Sequence, residues 1–205
     1  MSQSNLDLAP IRLAAKDYPY SVGVDEVGRG PLVGEVVAAA VILPADHGLL
    51  LTDSKKLSAK KRESLAEQIK AVAVDYAIVG ASPAQVDQYN ILQATLWAMR
   101  QAVLQLKHPI KQVYVDGNRC PDLDCSCQPV VKGDLRLDII SAAAIIAKVY
   151  RDQQMMQLHQ QFPEYGFDRH KGYPTPVHLK ALADYGALPM HRKSFKPVND
   201  VLNRS

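Results

Sequence analysis

The chain has 205 residues, 47% of them apolar and 22% charged, with a formal net charge of +3. This length suffices for one well-buried domain, and the composition is ordinary for a soluble globular protein. No apolar run approaches membrane-spanning length, and the mild charge neither demands nor excludes a polyanion partner, since a local basic patch is what such binding needs.

Residues 1–20 read as a loosely held arm. Met1-Ser-Gln-Ser-Asn-Leu-Asp-Leu-Ala-Pro10 has no basic stretch ahead of an apolar core, so no export signal and a cytoplasmic location are expected. Val22–Val27 reads as a strand and Gly34–Leu43 as a second, joined by a short Gly/Pro link that implies an antiparallel hairpin. The second run is nearly all apolar and is expected to be buried on both faces. Ser58 is a candidate N-cap for a helix running to about Val72. Lys60, Lys61 and Arg62 fall in its first turn, the wrong sign for the helix dipole. A bound phosphate would remove the conflict; a solvated, suboptimal helix start is the alternative.

Val74–Ala81 reads as a third strand. Ser82-Pro-Ala-Gln85 is a capping-box start with Pro at the first helical position. Tyr89, Leu92, Leu96, Met99, Val103 and Leu106 then recur at helical spacing as one buried face, with Asn90 placed to cap a break. Gln112–Val115 is a fourth strand, ending in Asp116-Gly117-Asn118. All three cysteines follow, as Cys120, Cys125 and Cys127. An odd count argues against a disulfide framework, and C-x4-C-x-C lacks the paired spacing of structural zinc, so a loop of free thiols is expected. Gln128–Lys132 reads as a fifth strand, followed by Gly133-Asp134. A long helix from about Leu137 to Phe162 packs through Ile139, Ala142, Ala143, Ile146 and Tyr150, and its alanines imply close approach to the sheet. Beyond Pro163 the chain turns rich in His, Lys, Tyr and Pro, with a short helix at about 176–185. The expected organisation is an arm (1–20), an α/β domain (21–162) and a small helical appendage (163–205). No oligomerisation stripe is visible, so a monomer is expected.

Asp25, Asp116 and Asp134 stand at or near strand ends, and Glu26 adjoins the first. In open sheets flanked by helices, ligands gather at strand ends. If the first strand is central the acids converge. Clustered carboxylates repel and raise one another's pKa unless a hard divalent cation, Mg²⁺ or Mn²⁺, takes oxygen ligands from them. Individually, Asp116-Gly117 is a common turn and Asp134 a plausible helix start. Asp25 and Glu26 interrupt an apolar run and are harder to explain away. Adjacent strand residues point to opposite faces. Both acids therefore serve one site only if a bulge intervenes, if the strand stops at Asp25, or if Glu26 contributes its backbone carbonyl.

Asp25-Glu-Val-Gly-Arg-Gly-Pro-Leu-Val-Gly34 resembles the signature of the type 2 ribonuclease H family, bacterial ribonuclease HII. The resemblance runs from about Val22 to Val198 and takes in Asp53-Ser-Lys-Lys-Leu-Ser58, Asn90-Ile-Leu92, Asp116-Gly-Asn118, Lys132-Gly-Asp134, Ala147-Lys-Val-Tyr-Arg-Asp152, His170-Lys-Gly-Tyr-Pro-Thr175 and His191-Arg-Lys-Ser-Phe195. It implies a ribonuclease H-like mixed five-stranded sheet flanked by helices, with a C-terminal helical part. It also implies cleavage of the RNA strand of RNA–DNA hybrids and incision 5′ of ribonucleotides embedded in duplex DNA, leaving 3′-OH and 5′-phosphate ends. Asp25, Glu26, Asp116 and Asp134 would form the metal site, with Mn²⁺ or Mg²⁺ as two ions in the reactive complex.

By the same resemblance, Gly28, Arg29 and Gly30 would read the ribose 2′-OH, the group that tells RNA from DNA. Tyr173 would pack on the sugar of the following deoxynucleotide. Ser54, Lys55, Lys56, Asn90, His170, Lys171, Arg192 and Lys193 are the further substrate contacts expected, the basic ones on backbone phosphates, with solvated surface as the alternative for any single lysine. Ala144 departs from the family, which usually has Ser there.

Overall fold

In a computed structural model, residues 20–51 and 58–203 are described. Residues 1–19 of the arm and Ser54, Lys55 and Lys56 lie outside the described residues. Five strands form one mixed sheet: β1 (Val22–Val27), β2 (Val36–Ile42), β3 (Asp75–Ala81), β4 (Gln112–Asp116) and β5 (Ser126–Val130). The order is β3-β2-β1-β4-β5, so β1 is central. It pairs antiparallel with β2 and parallel with β4. The turn between Val27 and Val36 makes the expected hairpin. The second strand starts at Val36 rather than Gly34, because Gly34 has φ +79 and leaves the extended region.

Three helices cover the sheet: α1 (Ala59–Val72), α2 (Pro83–Leu104) and α3 (Asp138–Gln161). Ala94, Ala98, Met99, Ala102 and Val103 of α2 pack with Val22, Val24 and Ala38 on one face. On the other, Ala66 and Ile69 of α1 and Ala142, Ala143 and Ile146 of α3 pack with Val37, Ala39 and Val41. Alternate strand residues supply opposite faces, so β2 is buried throughout, as its unbroken apolar run requires. α3 lies close to the sheet, and Gly23 admits its first turn: a Cβ there would stand 2.2 Å from the Ile139 carbonyl carbon.

Ser82 caps α2 with a complete capping box. At Asn90 (φ +67) the helix kinks, and the Asn90 Oδ1 accepts from the amides of Leu92 and Gln93 at 3.0 and 3.1 Å, starting a fresh helical turn. The kink resets the helical phase. Tyr89, expected on the buried face, is therefore exposed, while Met99, Val103 and Leu106 beyond it are buried. Tyr150, expected on the packed face of α3, is also exposed.

The fifth strand begins two residues earlier than expected and takes in Cys127. It is an edge strand in the register Gln112↔Ser126 to Asp116↔Val130, which is why Pro129 is tolerated there. The thiols are free; Cys125 and Cys127 are held protonated first by burial. Among the described residues no helix is long and apolar enough to cross a membrane.

Short helices α4 (Phe167–His170), α5 (Pro176–Tyr185) and α6 (Lys196–Leu202) follow. Tyr165, Phe167 and Ala181 pack with Val33 and with Met155 and Leu158 of α3. Leu182 and Val198 pack with Leu32. An isolated bridge joins Val33 to His191. The C-terminal helices are thus seated on the loop that follows β1.

Candidate active site

The parallel pair β1 and β4 directs Asp25, Glu26 and Asp116 to the same end of the sheet. Asp134 joins them from a single 3-10 turn, Gly133–Leu135, that follows Lys132 in the left-handed region. The Gly133 amide donates to the Asp116 Oδ1 at 2.6 Å, fixing that turn against the β4 end. Asp25, Glu26, Asp116 and Asp134 line one cleft of about 390 Å³ together with Val27, Arg62, Ala144, Lys148 and Tyr173.

Strand parity is settled by the register. Asp25 pairs with Ala39, Glu26 with Ala38 and Val27 with Val37, without a bulge and without the strand stopping at Asp25. Asp25 therefore shares the α3 face and Glu26 the α2 face. Because both sit at the strand's end, Glu26 still lines the cleft, as well as a second groove of about 240 Å³ on its own side with Arg29, Asp116, Asn118 and Arg119.

The electrostatics are those of a crowded anion. Asp25 is 7% exposed. Burial first, then Glu26, Asp116 and Asp134, push its carboxyl well above the usual range, although the Glu26 amide donates to its Oδ1 at 2.6 Å. Burial also raises Glu26, opposed by Arg29, whose Nη1 lies 3.3 Å from the Glu26 Oε1. The donor set is all hard oxygen and the strain is excess negative charge, the combination a divalent cation relieves. Among the described residues, no three such groups already form a cage for an ion. Mg²⁺ in particular is usually held by one or two carboxylates with substrate phosphate and water completing the shell. The residues present fit a divalent metal completed by substrate.

Two cations at the cleft were not anticipated among the site residues. Lys148 Nζ lies 2.7 Å from Asp152 Oδ1, and Arg62 Nη1 lies 3.6 Å from Asp152 Oδ2. The motif Ala147-Lys-Val-Tyr-Arg-Asp152 was the available signal. Asp152, reaching from α3, also answers part of the charge conflict in the first turn of α1.

The glycine loop and Tyr173 adjoin the acids. Gly28 is buried, while Arg29 and Gly30 are exposed. A Cβ on Gly30 would stand 3.1 Å from the Tyr173 Cε1, so ring and loop are in contact. Tyr173 is 45% exposed at the cleft, free to present a face.

The expected basic cluster needs correction. Arg192 is 0% exposed and donates to loop carbonyls, so it does not face a phosphate. His170 contacts the Tyr165 carbonyl through Nε2 at 2.7 Å and accepts from the Gly172 amide through Nδ1 at 3.2 Å, leaving neither nitrogen for substrate. The Lys171 ammonium donates to the Asp168 carbonyl at 2.8 Å. His170 and Lys171 order the turn that carries Tyr173, whereas Arg192 holds the loop from Gly28 to Gly34. Lys193 is exposed, and its amide, like that of Ser194, is anchored on Asp87. Ala144, at the cleft floor, offers no hydroxyl.

The family model for ribonuclease HII matches residues 22–198. A ribonuclease HII from Hydrogenovibrio crunogenus is 58% identical over 200 residues, covering 98% of this chain and 95% of the relative. The crystal structure of the ribonuclease H2 from Pyrococcus horikoshii superposes with a TM-score of 0.77 at 26% identity, covering 90% of this chain and 97% of that one. The Bst-RNase HIII structure in complex with Mn²⁺ has a TM-score of 0.73 at 18% identity, covering 94% and 72%, a likeness of fold.

Proposed function

The chain belongs to the ribonuclease HII family, and from that premise we propose that this RNA–DNA hybrid endoribonuclease also incises duplex DNA 5′ of single embedded ribonucleotides. What supports this reading is the contact between Gly30 and Tyr173 beside four converging carboxylates. The exposed Arg29–Gly30 backbone offers amides to a 2′-OH, and the Tyr173 ring takes the next sugar face, where a second 2′-OH would lose its hydrogen bonds. The site therefore selects a ribose-to-deoxyribose junction.

Asp25, Glu26, Asp116 and Asp134 would hold the metal, Mg²⁺ or Mn²⁺, as two ions in the reactive complex. When bound, such ions lower the pKa of water and stabilise charge at the leaving oxygen of a phosphodiester. Lys148 and Arg62 offer positive charge to the cleaved strand's phosphates, with Asp152 holding both until substrate arrives. The C-terminal segment 163–205 serves as the substrate-binding appendage through Tyr173.

The test uses three substrates: a duplex with one ribonucleotide, a full hybrid and an all-DNA junction, each with and without Mg²⁺ or Mn²⁺. The reading requires metal-dependent cleavage of the first two and no cleavage of the third. Cleavage of the all-DNA junction would instead indicate a resolvase-type nuclease, and binding without cleavage a non-catalytic hybrid binder.

A further inference from the structure

The loop from Gly28 to Glu35 is held from beneath by two arginines. Arg192 donates from Nη2 to the Gly28 carbonyl at 2.6 Å and from Nη1 to the Arg29 and Pro31 carbonyls at 3.1 and 2.7 Å. Its Nε donates to the Gly34 carbonyl at 3.0 Å, and its backbone amide to that of Leu32 at 2.8 Å. Arg151 of α3 donates to the carbonyls of Val33, Glu35 and Lys171 at 3.2, 3.2 and 3.1 Å. Every carbonyl from Gly28 to Glu35 except that of Gly30 is thereby taken. The two guanidiniums are 1% and 0% exposed. Among the described residues neither pairs with a carboxylate.

Two buried cations with acids only at longer range, Asp87 for Arg192 and Asp152 and Glu35 for Arg151, are an expensive way to fill space, and an apolar side chain would do so at lower cost. What a guanidinium adds is a rigid fork of donors that fixes several carbonyls at once. The consequence lies on the other side of each peptide plane. Among the described residues all peptides are trans, so an N–H points away from the carbonyl of its own peptide unit. The Gly28 carbonyl belongs to the same unit as the Arg29 amide, and the Arg29 carbonyl to the same unit as the Gly30 amide. Those two amides donate to no protein group among the described residues. Arg192 binds the inner ends of the two peptide units whose outer ends are free. A carbonyl held by a cation also polarises its unit, making the opposite N–H a stronger donor.

We propose that Arg192, with Arg151 beside it, is a positioning residue for ribose recognition: it anchors the Gly28 and Arg29 carbonyls so that the Arg29 and Gly30 amides stand aimed and polarised toward a 2′-OH. The proposal rests on the reading of this loop as the 2′-OH reader. Gly28 shows how closely loop and anchor fit, since its φ is +90 and a Cβ there would stand 2.2 Å from the Arg151 Nε. The Phe195 ring closes the outer side, 5.2 Å from the Arg192 Cζ.

The test is Arg192→Lys, which keeps a charge but cannot reach four carbonyls. The readout is kcat/KM on a duplex with one ribonucleotide, divided by that on the same duplex with a 2′-fluoro-2′-deoxynucleotide at that position. This ratio should fall about 10- to 100-fold, the scale of a misplaced recognition group. The salt slope of hybrid binding should stay unchanged, because no phosphate contact is lost. A folded variant with the wild-type ratio overturns the proposal, as does a salt slope reduced by about one. Wild-type protein that cuts both substrates equally removes the loop reading, and the proposal with it. A measurement on the wild type does not depend on the variant's folding: the Arg192 Nε–H proton should exchange slowly and keep its chemical shift when hybrid binds. Fast exchange, or a shift on binding, means that Arg192 meets solvent or substrate and overturns the proposal.

Discussion

The Tyr173 ring lies against the α-carbon of Gly30, so close that a methyl there would stand 3.1 Å from Cε1 and push the ring by a few tenths of an ångström. The residues differ in origin: one is in the turn after β1, the other in the turn after α4. Their contact makes recognition of a ribose and of the sugar beside it a single geometric event. Gly30 carries no positive φ, so Gly30→Ala keeps a permitted backbone and displaces only the ring. It should lower the preference for a single embedded ribonucleotide over a full hybrid while leaving the thermal midpoint within a few degrees. Tyr173→Ala should lower the same preference. Gly28→Ala is the control: left-handed backbone and overlap with Arg151 should destabilise on the order of 3 kcal/mol, read as a lower urea midpoint.

Asp116→Asn separates chemistry from fold. An Asn Oδ1 still accepts from the Gly133 amide, so the turn carrying Asp134 stays in place. Only the negative charge is lost. Cleavage should fall by about 10²-fold or more, since several kcal/mol of charge stabilisation go with the metal site, while hybrid binding without metal remains measurable. Near-wild-type turnover would remove Asp116 from that site.

Lys148 and Arg62 face the acids across the cleft, joined through Asp152. Lys148→Met should weaken hybrid binding evenly across sequences and reduce the salt slope by about one unit, as for a single phosphate contact. An unchanged slope would make Lys148 only a partner for Asp152.

A pair of buried histidines sets the acid limit of stability. The His178 Nδ1 donates to the Tyr173 carbonyl at 3.0 Å, and the Leu188 amide donates to the His191 Nδ1 at 2.9 Å. The backbone thus fixes both tautomers, and His191 donates from Nε2 to the His178 Nε2 at 3.2 Å. Burial pushes both pKa values from 6.5 down to about 4. The unfolded chain takes up protons first as pH falls, so the contribution is complete above pH 6.5 and is lost as pH falls through the window to about 4. On the order of 3 kcal/mol per histidine is at stake. The urea midpoint should drop across that window, and less steeply in His191→Gln. Identical slopes would contradict this.

Much of this was legible in the chain because the signals are local. The hairpin follows from two apolar runs with a Gly/Pro link, the start of α2 from Ser82 to Gln85, and the acids from their places at strand ends. β5 was misplaced because Ser126-Cys-Gln-Pro carries little strand propensity and pairs only along β4. Arg192 was misread because a cation in a basic stretch resembles a phosphate ligand, and its partners lie some 160 residues away in sequence. Tyr89 was misread because a helical period continues on paper through a kink that resets it.

The products from a duplex with one embedded ribonucleotide decide between reading the 2′-OH and attacking with it. The expected product is a single metal-dependent nick on the 5′ side of that ribonucleotide, with 3′-OH and 5′-phosphate ends. A nick on its 3′ side would contradict it, and a 2′,3′-cyclic phosphate end there would mean that the 2′-OH is the attacking group rather than the group being read.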